Sequence, residues 1–177
     1  MELNKEQINE LKIIHYPHPV LKQRAEPIVE INDTVEQLVL KMIDLMYQYK
    51  GVGLAANQVA VPLRVFVANP TCEKGDELVF INPEIIEENG WAEAEEGCLS
   101  VPQIYTTIRR RKKIVVVATD ISGKQFEIPA DDLLARIIQH ETDHLYGKTI
   151  VDRMSPLAKL SNRRQLKLLE EQLSVEK

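Results

Sequence analysis

The stretch "IIQHETDHLYG", residues 137–147, carries the side chains with the greatest capacity for chemistry in this sequence. His140 and His144 are four residues apart, and residues at this spacing lie on the same face of an α-helix. Two imidazoles can therefore bind one metal ion. Glu141 is rotated by about 100° from His140, so its carboxylate can lie beside the ion as a general base, which is the H-E-x-x-H pattern.

A surface helix with two chance histidines is the alternative, because three fixed residues recur in many helices that bind nothing. We expect the helix to begin at a capping residue, Asp131 or Asp132, and to end at Gly147. It is rich in apolar residues, and a buried imidazole without a partner is unfavourable. This context favours the metal site. The other histidines, His15 and His18, lie in the Pro-rich "HYPHPV" and are poor ligand candidates.

A catalytic site of this type needs a third protein ligand and one open position. This ligand can be a carboxylate or a cysteine. Cys98 in "EEGCLSVP" is a candidate, since Gly97 before it allows a close backbone approach. The N–H of Leu99 would then lie near any ion that Cys98 binds. Cys98 can instead be a small buried hydrophobe, and Cys72 fits that description or an exposed thiol.

A third stretch, "GVGLAANQ", residues 51–58, combines two glycines, two alanines and a terminal amide. It lacks the Gly-Lys-Ser/Thr ending of a phosphate loop. The Gln58 amide can donate a hydrogen bond to a developing oxyanion. The alternative, a tight connection built of small residues, is the stronger interpretation of this stretch on its own.

The positioning elements are predicted from periodicity and capping residues. A first helix is capped by Asn32 or Asp33 and ends in a left-handed turn at Gly51. A last helix has Ser155 as its cap and Pro156 at its first position. Segments with strand character lie between these helices, with a hairpin turn at Ser122-Gly123, and occupy residues 63–68, 78–86 and 113–120. This order predicts an α+β fold with largely antiparallel sheet.

The whole chain has 177 residues, and we expect one domain over residues 1–177. Its net charge of −5 argues against nonspecific binding to DNA. No run of 18 apolar residues predicts a membrane span, and "MELNKEQINE" does not resemble a secretory signal. We therefore expect a cytoplasmic protein whose two cysteines are reduced.

Taken together, "GVGLAANQ", "EGCLS" and "QHETDHLYG" resemble, in order and spacing, the three signature motifs of the peptide deformylase family. The likeness runs from about "IIHYPHPVL" to the start of the last helix. It implies antiparallel sheets packed around a central H-E-x-x-H helix, with a C-terminal helix. It also implies an enzyme that removes the N-formyl group from the initiator methionine of newly synthesised proteins and releases formate.

The resemblance assigns roles to residues of this sequence. The expected metal ligands are Cys98, His140 and His144. Glu141 is the expected general base and later acid, and the oxyanion donors are the Gln58 amide and the Leu99 N–H. The expected cofactor is one divalent ion, Fe²⁺ in the native enzyme, with Zn²⁺, Ni²⁺ or Co²⁺ able to replace it.

Substrate contacts follow from the same resemblance. The methionine pocket is expected to be lined by Val52, Leu133 and Ile137, and the backbone near Gly53 to pair with the extended peptide. Tyr105 departs from the family pattern, because an arginine often holds the peptide there.

Two surface features carry further expectations. The basic run from Arg109 to Lys113 is typical of a solvated strand end; the alternative is that Arg110 pairs with Glu96 and braces the cysteine loop. The C-terminal helix is expected to contact ribosomal RNA near the exit tunnel, although a plain solvated face is the alternative. Its basic residues are Lys159, Arg163, Arg164 and Lys167.

Two other functions share the H-E-x-x-H pattern. A metallopeptidase is disfavoured by the cysteine ligand and by Gln58. A non-catalytic module of the same fold is disfavoured because both Glu141 and Gln58 are present.

Overall fold

A computed structural model describes residues 3–175. Its centre is a five-stranded antiparallel sheet in which the strands neighbour one another in chain order. The strands are Gly53–Ala55 (β1), Val65–Ala68 (β2), Leu78–Cys98 (β3), Val101–Thr119 (β4) and Gln125–Asp131 (β5). The predicted α+β fold with antiparallel sheet is confirmed.

Helices precede and follow this sheet in the chain. They are Lys5–Glu10 (α1), Asp33–Gln48 (α2), Asp132–Leu145 (α3), Ile150–Arg153 (α4), Pro156–Ser161 (α5) and Arg163–Val175 (α6). Short 3₁₀ turns occupy Pro19–Lys22 and Ala56–Val59. Within residues 3–175 no helix has the length and apolar character needed to cross a membrane.

Helix α2 begins as predicted, with the side chain of Asn32 accepting from the Val35 N–H at 3.2 Å. Its end differs from the prediction. Lys50, with φ of 56°, takes the left-handed conformation that we expected at Gly51. Gly51 is required for a different reason: a Cβ at this position would lie only 2.7 Å from Cδ1 of Leu99. The glycine lets the end of α2 approach the loop that follows Cys98.

The hairpin of β3 and β4 is much longer than the sequence predicted. The expected strands, 78–86 and 113–120, are only the outer parts of two strands that continue to Cys98 and back from Val101. The missed parts are charged, and much of the β3 part is exposed. In β4 the inward positions include Thr106 and Arg110, so the apolar alternation that identifies a strand is broken.

Helix α3 follows β5 directly and ends at Leu145, with Tyr146 as its C-cap and Gly147, whose φ is +69°, in the turn that follows. Asp131 occupies the N-cap position, although its side chain makes no capping hydrogen bond. Ile137 and Ile138 of α3 pack in one buried cluster with Phe66 and Phe80 of the sheet. This packing fixes the rotation of the helix about its axis and so decides where its polar residues point.

The prediction of a single last helix is wrong, because two helices, α5 and α6, occupy this part of the chain. Ser155 caps α5, as expected, by accepting from the Ala158 N–H at 3.1 Å. Helix α5 ends after Ser161, and α6 begins at Arg163. The side chain of Asn162 donates to the carbonyl oxygen of Ala158 at 2.9 Å, which competes with continuing the helix.

Candidate metal centre

The donor atoms of Cys98, His140 and His144 lie within 4.8 Å of one another. The two histidines project from the same face of α3, and both are buried. The sulfur of Cys98 lies 3.3 Å from Nε2 of His144. One sulfur and two imidazoles therefore converge from two elements that are more than 40 residues apart in sequence.

The position of Cys98 depends on a tight turn at the tip of the long hairpin. Cys98 pairs with Val101, so that Leu99 and Ser100 form the turn between β3 and β4. Gly97 pairs with Tyr105, and a Cβ on Gly97 would lie only 2.8 Å from the tyrosine ring. Gly97 does allow the expected close approach, and the group that approaches it is the Tyr105 ring. Tyr105 covers the glycine and remains 65% exposed.

Glu141 lies on α3 beside the donor set and is 4% exposed. A Cβ on Gly53 would lie 2.5 Å from Oε1 of Glu141, so the carboxylate occupies space that only a glycine leaves open. Burial raises the pKa of Glu141 to about 7, although the charges of His140 and Arg110 act in the opposite direction. A carboxylate with this pKa can both accept and return a proton near neutral pH.

Gln58 is buried against the cysteine loop, and the orientation of its amide is determined by its neighbours. Its Oε1 accepts from the Ala55 N–H at 2.8 Å. The Nε2 group therefore faces the other way, 3.3 Å from Oγ of Ser100 and 3.6 Å from the sulfur of Cys98. The amide donor thus points toward the donor set.

A buried network of ion pairs contacts His140 and stabilises the centre. Arg110 donates to Glu96 through Nε at 2.6 Å and to Asp143 at 2.8 Å. Arg136 reaches the same oxygen of Glu96 at 2.7 Å, and Glu96 contacts Nδ1 of His140 at 2.9 Å. The predicted Arg110–Glu96 pair is confirmed. Asp143 and Arg136 were missed, although Asp143 lies three residues after His140 on a helix and could have been considered.

These contacts shift the pKa values of the network. Burial raises the pKa of Glu96, but the hydrogen bonds from His140 and Arg110 outweigh it and lower the value to about 2. Burial also lowers the pKa of His140, but hydrogen bonds to Cys98 and Glu96 raise it well above the ordinary value. The neighbours of His140 thus stabilise positive charge on its ring, whereas burial and the charge of His140 lower the pKa of His144 well below its ordinary value.

The residues expected to bind substrate lie on two neighbouring elements. Ile137 is buried, and Val52 is half-buried against the same apolar cluster. Leu133 lies one turn before Ile137 on α3 and is 49% exposed. Gly53 begins β1, which occupies one edge of the sheet. An apolar surface and the edge strand of the sheet therefore lie beside Glu141.

The residues at the centre fit a metal ion. Their donor set is the sulfur and nitrogen set that Zn²⁺ and Fe²⁺ accept. Oε2 of Glu141 is buried and has no hydrogen-bond partner among residues 3–175. Three convergent donors beside one unpartnered carboxylate oxygen are the arrangement expected of a mononuclear metal-dependent hydrolase.

Comparison with known proteins gives the family. Residues 10–160 match the polypeptide deformylase family. Peptide deformylase of Nitrosococcus oceani is 45% identical over 147 residues, which are 83% of this chain and 88% of the relative. That of Rhodopirellula baltica is 44% identical over 146 residues, which are 81% of this chain and 73% of the relative. The chain belongs to the polypeptide deformylase family.

Solved structures agree with this assignment. The crystal structure of a peptide deformylase from Legionella pneumophila superposes with a TM-score of 0.87 at 41% identity, covering 93% of this chain and 97% of that one. The Arabidopsis thaliana peptide deformylase 1B in complex with an inhibitor gives a TM-score of 0.89 at 37% identity, with 94% and 93% coverage.

Proposed function

We propose that this enzyme hydrolyses the N-terminal formamide of formyl-methionyl nascent chains and releases formate. Membership of the polypeptide deformylase family supports this activity. The observation that carries the residue assignment is the convergence of the Cys98, His140 and His144 donors beside the buried carboxylate of Glu141.

Cys98, His140 and His144 would hold one divalent ion and leave a coordination position open to water. When bound, the ion acts as a Lewis acid and lowers the pKa of that water. We propose Fe²⁺ as the native metal, as the resemblance to the family implies. Zn²⁺, Ni²⁺ and Co²⁺ are proposed as replacements, because the same sulfur–nitrogen donor set accepts them.

Glu141 moves the protons. Its carboxylate accepts a proton from the attacking water and later passes it to the departing amide nitrogen. Burial supports this role, because it raises the pKa of Glu141 and so increases the affinity of the carboxylate for a proton. Gly53 supports it too, since the absent side chain leaves room for the carboxylate.

Gln58 and the backbone N–H of Leu99 stabilise the negative charge that develops on the formyl oxygen. A positioned donor of this kind contributes roughly 3–4 kcal/mol to transition-state stabilisation. Support comes from the amide of Gln58, whose Nε2 points toward Cys98 and not into solvent.

The apolar surface of Val52, Leu133 and Ile137 would accept the methionine side chain. The edge strand β1, beginning at Gly53, would pair with the extended peptide as an added strand. Tyr105 stands exposed beside the cysteine loop, where it can offer a ring but not a cation to the peptide beyond methionine.

The setting of the reaction follows from its substrate. We propose that the reaction takes place in the cytoplasm, near the ribosomal exit tunnel from which formylated nascent chains emerge. Basic residues on α5 and α6 offer a surface for ribosomal RNA; they are Lys159, Arg163, Arg164 and Lys167.

Formate release from formyl-Met-Ala-Ser, after anaerobic loading with Fe²⁺, Ni²⁺ or Zn²⁺, tests the proposed function. Unformylated Met-Ala-Ser is the matched control. Formate from the first peptide, with the second unchanged, is the expected result. Peptide-bond cleavage in both would indicate a metallopeptidase, and no reaction with any metal would indicate a non-catalytic module.

A further inference from the structure

Ser100 is completely buried in the turn that follows Cys98. Its hydroxyl oxygen lies 3.3 Å from Nε2 of Gln58, and its backbone carbonyl accepts from the N–H of Tyr16 at 2.8 Å. The backbone contact holds the turn against the N-terminal segment. The hydroxyl thus occupies a fixed place beside the Gln58 amide.

Gln58 has one carbonyl oxygen and two N–H groups to satisfy. The oxygen is taken by the N–H of Ala55 at 2.8 Å. One N–H donates to Ser100, and the amide nitrogen also lies 3.6 Å from the sulfur of Cys98. With both ends of the amide held, the second N–H is directed toward the cysteine side of the centre.

We infer that Ser100 is a positioning residue for the reaction: its hydroxyl fixes the rotation of the Gln58 amide so that the remaining N–H meets the formyl oxygen. The inference rests on the proposed function, in which Gln58 is an oxyanion donor. Catalysis by such donors depends on their being oriented before the reaction begins. Ser100 itself touches neither the substrate nor the reacting atoms.

Removing the hydroxyl in Ser100→Ala leaves the amide held only at its oxygen. A hydrogen bond of this kind corresponds to roughly 0.5–1.5 kcal/mol, so we expect kcat to fall by about 2- to 13-fold. KM and metal content should stay close to wild type, because neither substrate nor metal is bound by the hydroxyl. Ser100→Thr, which keeps a hydroxyl, should restore most of kcat.

A double-mutant cycle with Gln58→Ala separates positioning from general structural damage. If Ser100 acts through Gln58, Ser100→Ala should have no effect on kcat once the amide is absent. Equal loss in both backgrounds would overturn the inference, as would an unchanged kcat in Ser100→Ala alone. Thr142→Ala is the control, because it deletes a buried hydroxyl that lacks a hydrogen-bond partner within residues 3–175.

Failure of this inference is distinguishable from failure of the proposed function. If Gln58→Ala retains wild-type kcat, the oxyanion role of Gln58 is wrong. If Gln58→Ala loses turnover while Ser100→Ala does not, only the positioning role is wrong. Should Ser100→Ala not fold, hydrogen exchange of the Gln58 side-chain amide in zinc-loaded wild-type protein decides: slow exchange supports the inference, and exchange at the rate of a free amide overturns it.

Discussion

Oε2 of Glu96 lies 2.9 Å from Nδ1 of His140, deep in the interior between β3 and α3. This contact leaves Nε2 as the ring nitrogen available to an ion. Carboxylates that hold the second nitrogen of a ligating histidine fix its ring orientation and increase its basicity. Glu96 is itself held by Arg110 and Arg136, so the orientation of the ring is coupled to a buried network.

Glu96→Gln should therefore weaken metal binding by about 10- to 100-fold. The amide cannot neutralise Arg110 and Arg136, so the melting temperature should also fall. Competition with a chelator of known affinity measures the first effect. Glu88→Gln is the control, because Glu88 pairs with Arg111 at a more exposed site. Equal metal affinity in Glu96→Gln and wild type would contradict the prediction.

Glu141→Gln should keep the metal and lose turnover. The substitution preserves size but removes the proton acceptor, and a positioned acid–base group contributes about 10²- to 10⁴-fold. Metal content and single-turnover deformylation are measured on the same sample. Loss of metal would mean that Glu141 is a ligand or structural, and full activity would assign proton transfer to another group.

Gly53→Ala should lower kcat with little loss of metal. The added Cβ would lie 2.5 Å from Oε1 of Glu141 and 2.9 Å from Cγ2 of Ile137, so the carboxylate must shift. Gly123→Ala is a useful comparison, since that turn glycine has open space around it but a φ of +84°. It should cost stability and leave turnover unchanged. A fully active Gly53→Ala enzyme would show that Glu141 tolerates displacement.

Cys98→Ala should lose metal and activity together, because it removes one of three donors. In the unmodified protein, a chelator should abolish formate release, and Fe²⁺, Ni²⁺, Co²⁺ or Zn²⁺ added afterwards should restore it. Elemental analysis of both samples provides the check. Normal metal content in Cys98→Ala would place the ion elsewhere.

Formyl-Met and formyl-norleucine peptides should be processed better than formyl-Asp peptides. Burying an apolar side chain of this size is worth about 1.5–3 kcal/mol, or roughly 10- to 150-fold in kcat/KM. Measured kcat/KM values for the three peptides test this preference. Equal values would rule out the apolar surface of Val52, Leu133 and Ile137 as the methionine pocket.

Local patterns in the sequence were enough to predict the features that depend on local geometry. The four-residue spacing of His140 and His144 becomes a shared helix face whatever the helix packs against. The caps at Asn32 and Ser155 and the turn at Gly147 follow from short-range hydrogen bonding and backbone freedom. The three motifs in order were sufficient for the family.

Tertiary structure decided how these parts meet. The Cys98 sulfur reaches His144 only because a long hairpin, interrupted by register shifts, ends in a two-residue turn beside α3. The partners of Arg110 depend on which face of β4 is buried, and the charged sequence of that strand hid its alternation. Contacts such as that of Ser100 with Gln58 join residues 42 apart in the chain. No local periodicity encodes such a distance, because it is set by strand register and helix packing together.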